Sequence, residues 1–109
     1  MSEYISIKEK VLSEIEQNMP EIQSRFGIES LGIFGSVSRG EDTAASDVDV
    51  LYKFATPSIT LSQFMGLKEY LENLFGRNVD LISLDWIEPK IELRVKGDMI
   101  LFSVPVAEV

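Results

Sequence analysis

The chain contains no cysteine and no histidine. The first absence excludes disulfides and thiolate metal sites. The second removes imidazole, both as a metal ligand and as the usual general base. A metal bound here is therefore held by oxygen, with Mg²⁺ expected and Mn²⁺ its natural substitute. No stretch approaches the roughly 18–20 consecutive apolar residues that span a bilayer. The N-terminal MSEYISIKEK lacks the basic head and apolar body of a signal peptide, so a cytoplasmic chain without membrane contact is expected. Basic residues are scarce as well: ten Lys and Arg face eighteen Asp and Glu, a formal net charge of −8. Phosphate backbones attract basic surfaces, so no direct grip on nucleic acid is expected. A small anionic substrate held through metal remains compatible with this balance.

What is present is enough for a core. The 109 residues, 45% of them hydrophobic, contain no repeat, linker or low-complexity run, and they read as one domain, 1–109. Ile5, Ile7, Val11, Leu12, Ile15 and Met19 recur at a helical period that Pro20 should interrupt, with a short second turn from Glu21 to Phe26 closed by Gly27. SLGIFG (30–35) reads as a buried strand, and DVDVLYKF (47–54), alternating and rich in β formers, as another. After the breaker Thr-Pro-Ser, an amphipathic helix carries Leu61, Phe64, Met65, Leu67, Lys68, Leu71, Leu74 and Phe75 and stops at Gly76. NVDLISL (78–84) is a third strand, DWIEPKIELRVKG (85–97) a short helical stretch, and MILFSV (99–104) a fourth strand. Pro105 places that last strand at an edge. The apolar tail MILFSVPVAEV is read as packing internally rather than as an oligomer contact. The fold class is α+β, a small mixed sheet of about four strands covered by helices on one side.

The stretch GSVSRGEDTAASDVDVL, residues 35–51, is the unusual one. Residues two apart on a strand share a face with Cα atoms about 6.6 Å apart, so Asp47 and Asp49 converge while Val48 and Val50 enter the core. Two ionised carboxylates so placed repel, and a divalent cation between them removes the cost. Asp80, flanked by Val79 and Leu81, can deliver a third carboxylate if the two strands pair. At the other end, Gly35 lets backbone approach a ligand closely, and the amides after it, with the Ser36 hydroxyl, can seat a phosphate. Arg39 can offer its planar fork to a phosphate oxygen or brace the loop against a carboxylate. Glu41 and Asp42 read as solvated. Each of these elements alone has an ordinary explanation as a turn, a solvated edge or a surface charge. Their conjunction describes a nucleoside triphosphate site in which acids hold Mg²⁺ and Mg²⁺ holds the triphosphate.

Gly-Ser, ten residues, then Asp-Val-Asp resembles the signature of the superfamily that includes DNA polymerase β and kanamycin nucleotidyltransferase. The run LGIFGSVSRGEDTAASDVDVLYKF most resembles the minimal nucleotidyltransferases, the MntA-like antitoxins, and the similarity extends through LFGRNVDLIS toward the C-terminus. The resemblance implies the nucleotidyltransferase fold, with Gly35 and Ser36 on the triphosphate and Asp47, Asp49 and Asp80 ligating two Mg²⁺ ions. It further implies ATP as substrate and a HEPN-type ribonuclease toxin as partner, AMPylated on a tyrosine. In the expected reaction one metal clamps the leaving phosphates while the other activates the acceptor hydroxyl. Asp80, or Asp49 through a metal, receives the proton. A chain this small has little room for an acceptor-recognition domain, which suits a protein acceptor docking on the open side of the sheet. Two other readings stay open: a non-catalytic module that neutralises or scaffolds a partner by contact alone, and transfer to a small-molecule hydroxyl with a partner's help. Assembly is open between self-association and a hetero-oligomer with the toxin.

Overall fold

A computed structural model describes residues 3–56, 58–84 and 99–103. The elements are α1 (Lys8–Phe26), β1 (Ile28–Phe34), α2 (Gly35–Arg39), β2 (Val48–Phe54), α3 (Leu61–Phe75), β3 (Val79–Ser83) and β4 (Ile100–Ser103). The four strands form one mixed sheet in the order β3-β2-β1-β4. β1 is antiparallel to both β2 and β4, whereas β2 and β3 run parallel. A parallel pair needs a crossover, and α3 provides it. Among the described residues β4 lies at an edge of the sheet, where Pro105 leads us to expect the last strand. The helical stretch expected over 85–97 falls outside the described residues.

Alternation along the strands decides what each face carries. Leu31 and Ile33 of β1, Val48 and Val50 of β2, and Val79 of β3 are buried on the face that meets the helices. Against them α1 lays Val11, Ile15, Met19, Ile22 and Phe26, and α3 lays Leu67, Leu71 and Phe75. Their spacing of three or four residues puts each set on one helical stripe. Edge-to-face packing of Phe26 on Tyr70, centroids 5.4 Å apart, ties the two helices together. The opposite face of β2 and β3 carries Asp49, Leu51, Asp80 and Ile82.

Three expectations about the helices need correction. Pro20 does not divide α1, which runs unbroken through it. The apolar stripe continues across the proline to Ile22 and Phe26, and Pro20 itself is exposed. The carbonyl deprived of its N–H donor belongs to Glu16, which is also exposed, so burial on the other side outweighs the missing bond. Ile5 lies before the helix and is 82% exposed rather than part of its stripe. On α3, Leu61 and Met65 are 75% and 49% exposed. Met65 is two residues from buried Leu67, about 200° around the helix, and so faces away from the sheet. The stop at Gly76 is as expected, in the left-handed conformation with φ 70°. The start is a capping box: the Gln63 amide donates to Thr60 Oγ1 at 3.1 Å, and the Thr60 amide donates to Gln63 Oε1 at 2.9 Å.

Candidate active site

Strand register brings the central acids together. Asp49 stands opposite Asp80 in the parallel β2–β3 pair and opposite Phe34 in the antiparallel β1–β2 pair. The expected pairing of these two strands is therefore present, and two carboxylates separated by 31 positions in the chain become cross-strand neighbours (80 − 49). Asp47 immediately precedes β2 and is exposed, Asp49 is half-buried, and Asp80 is exposed. Burial, then the negative charges of Asp80 and Asp47, push the Asp49 carboxyl above its ordinary range, while Arg39 opposes the shift. The three acids thus share one field. Among the described residues, however, no three acidic side chains are drawn into a ready-made cage of metal ligands.

Gly35 fits against this group. It directly follows β1 as the first residue of α2, at φ 76°, and a Cβ built on it would lie 2.5 Å from Asp49 Oδ2. Both the backbone conformation and the carboxylate require glycine here. The chain then turns into α2, whose Val37 and Ser38 are buried. The Ser38 hydroxyl donates to the Gly35 carbonyl at 2.8 Å, which holds the turn closed. Ser36 is half-buried beside it. Arg39 is exposed, donates from Nε to Glu41 Oε2 at 3.2 Å, and is close enough for its charge to act on Asp49. Its brace against a carboxylate is therefore Glu41.

Asp42 corrects the sequence reading. It is not solvated but 6% exposed. Its carboxylate accepts hydrogen bonds from the Tyr4 hydroxyl, the Ser6 hydroxyl and, at 3.1 Å, the Ile7 amide. Burial alone would raise this carboxyl; the hydrogen bonds from Ser6, Tyr4 and Ile7 together outweigh it and hold it below the ordinary value. Arg77 was also missed. Nη1 donates to the carbonyls of Thr43 and Ser46, both at 3.1 Å, and Nη2 donates to the Tyr4 hydroxyl at 2.9 Å. The available signal was its position, three residues before Asp80, in a chain with few cations. Shape alone does not find the site: a groove of about 480 Å³ between α1 and α3, lined by residues including Arg25, Tyr70 and Asn73, contains none of these acids.

A sheet with paired carboxylates on β2 and β3 behind a glycine turn defines a class, and comparison with known proteins agrees. Residues 12–106 match the nucleotidyltransferase domain family, and the chain belongs to it. The chain is 44% identical over 75 residues to the protein adenylyltransferase MntA of Thermococcus cleftensis, covering 68% of this chain and 74% of that one. A solved structure provisionally described as a minimal nucleotidyltransferase superposes with a TM-score of 0.71 at 32% identity, over 85% of this chain and 93% of that one. A solved complex of a tri-AMPylated HEPN toxin with an MNT antitoxin from Shewanella oneidensis gives a TM-score of 0.51 at 18% identity, over 86% and 66% of the two chains. That likeness concerns the fold alone. The chain is accordingly a nucleotidyltransferase of α+β fold. No helix among the described residues is long and apolar enough to cross a membrane.

Proposed function

We propose that this nucleotidyltransferase is a Mg²⁺-dependent protein adenylyltransferase. It moves AMP from ATP to a tyrosine hydroxyl of a HEPN-type toxin partner in the cytoplasm and serves as that toxin's antitoxin. The observation that carries the reading is the register of Asp49 against Asp80, with Asp47 two residues upstream and Gly35 giving up its Cβ space to the Asp49 carboxylate. The donor set fits the metal, since it is all carboxylate oxygen with no nitrogen or sulfur, as Mg²⁺ prefers. A half-buried acid pressed by two like charges also gains most from a cation. Divalent cations held by Asp47, Asp49 and Asp80 would neutralise the triphosphate and acidify the acceptor hydroxyl.

The remaining work falls to the chain's own residues. Gly35 lets the backbone approach the triphosphate, and the Ser36 hydroxyl donates to a phosphate oxygen. Arg39, now turned to Glu41, carries the fork that a phosphate can draw across. The acceptor oxygen bonds to the α-phosphorus, the bond from that phosphorus to the β-phosphate oxygen breaks, and pyrophosphate leaves. With no histidine in the chain, Asp80 or Asp49 takes the acceptor proton. The name of the Thermococcus relative, a protein adenylyltransferase, supports the choice of a protein acceptor.

The test is to incubate the purified chain with ATP, Mg²⁺ and the product of the adjacent reading frame, then weigh that product intact. Mass increments of one or more AMP units are expected. Asp47→Asn should give none while melting like the parent without metal. A tight complex with no increment would refute transfer and leave a neutralising binding module; AMP found on a small-molecule hydroxyl would refute the protein acceptor.

A further inference from the structure

The loop between α2 and β2 ends at Asp47, and it is held from two directions. On one side Tyr4, Ser6 and Ile7 grip Asp42. On the other, the turn after α3 supplies two anchors that bracket Asp47 itself. Arg77 Nη1 holds the Ser46 carbonyl at 3.1 Å, and the Val48 amide donates to the Asn78 carbonyl at 2.9 Å. The Ser46 carbonyl shares a planar peptide with the Asp47 nitrogen, so fixing that oxygen fixes the point from which the Asp47 side chain departs. The same guanidinium holds the Thr43 carbonyl at 3.1 Å and the Tyr4 hydroxyl at 2.9 Å, with its carbon 5.6 Å from the Tyr4 ring centroid. Within the loop, the Thr43 amide donates to Ser46 Oγ at 2.9 Å and the Ser46 amide to the Thr43 carbonyl at 3.0 Å, so the two carbonyls move as one unit. Arg77 itself leads directly into the strand that carries Asp80.

We propose that Arg77 is a positioning residue for nucleotidyl transfer. By bridging the Thr43 and Ser46 carbonyls to Tyr4, it sets the place of the Asp47 carboxylate against Asp49 and Asp80. This rests on the reading of those three acids as the metal-binding set. The function needs the fork and not merely the charge. One rigid guanidinium reaches three oxygens from three residues at once, which a lysine ammonium on its flexible stem cannot reproduce. Without the fork the loop keeps its Asp42 anchor and the Val48–Asn78 hydrogen bond but loses the hold on the Ser46 carbonyl, the one on the N-terminal side of Asp47. The carboxylate must then be ordered each time a cation binds, and affinity falls.

The experiment compares wild type, Arg77→Lys and Arg77→Ala. Mn²⁺ binding to the nucleotide-free protein is followed by the electron paramagnetic resonance of the free ion, alongside thermal melts and hydrogen exchange of the Ser46 amide, which donates to the Thr43 carbonyl that Arg77 holds. Both variants are expected to bind Mn²⁺ about tenfold more weakly, a shift of about 1.4 kcal/mol. The Ser46 amide should exchange faster in both. In transfer assays the Mg²⁺ concentration for half-maximal rate should rise by a similar factor, with the rate at saturating Mg²⁺ changed far less. Methylguanidinium should restore Mn²⁺ affinity to Arg77→Ala and not to Arg77→Lys. If Arg77→Ala fails to fold, Arg77→Lys decides the matter. Wild-type Mn²⁺ affinity in Arg77→Lys overturns the proposal alone, because charge would then suffice. A wild-type protein that binds no Mn²⁺ overturns the metal reading of the three acids and this inference with it.

Discussion

Replacing Gly35 by alanine tests the closest approach in the site. Two costs can be read from the structure. The backbone at φ 76° is a conformation that costs an L-residue about 1–2 kcal/mol relative to glycine. The new Cβ would stand 2.5 Å from Asp49 Oδ2, so the carboxylate must swing away. Driving that side chain off its rotamer costs about 0.5–1.5 kcal/mol. Together these give about 2–3 kcal/mol, and for a domain of this size about 9–13 °C in melting temperature. Metal-free thermal melts of Gly35→Ala, Asp49→Ala and the double variant separate the two parts. Truncating Asp49 removes the overlap but not the backbone strain, so the pair should fall short of additivity by about 1 kcal/mol. A Gly35→Ala protein that melts within a degree of wild type refutes the reasoning outright. Strict additivity refutes the contact with Asp49 and leaves only the strain.

Asp49→Asn should raise the metal-free melting temperature at pH 7 and abolish the stabilisation that Mg²⁺ gives wild type. The Asp49 carboxyl is raised above its ordinary value of 3.8, so its contribution to stability is full below that value and is lost as pH rises through the raised one. Wild type and variant should therefore differ most at neutral pH, and melts from pH 3 to 7 check this. Asp42→Ala has the opposite sign: a carboxyl held below its ordinary value contributes above pH 3.8 and loses that contribution as pH falls through its lowered value. Urea unfolding should show a cost of about 1–3 kcal/mol at pH 7, from the Ser6, Tyr4 and Ile7 donors left without their acceptor, and the two proteins should converge in acid. Thr60→Ala removes the cap of α3 and should cost about 1 kcal/mol in the same assay, with no effect on Mn²⁺ binding.

The sequence by itself determined the local elements and the cast of the site. Period-two alternation is enough to send Val48 and Val50 one way and Asp49 the other, because successive strand residues alternate by geometry. Glycines mark the ends of α1 and α3, and the Gly-Ser to Asp-Val-Asp spacing identified the family. The Thr60–Gln63 box was also legible, as a threonine three residues before a glutamine, though the periodicity reading passed over it. Only the tertiary structure decided the rest. Pro20 reads as a helix stop until a continuous buried stripe is seen to cross it. Asp42 reads as a solvated acid until three donors from residues at least 35 positions away close over it. That Asp80 meets Asp49 depends on parallel pairing across α3, and Arg77 reaches Tyr4 over 73 positions. Local preference is fixed by neighbours a few residues away, whereas register and loop bracing exist only after the core has covered the entropy of bringing distant segments together.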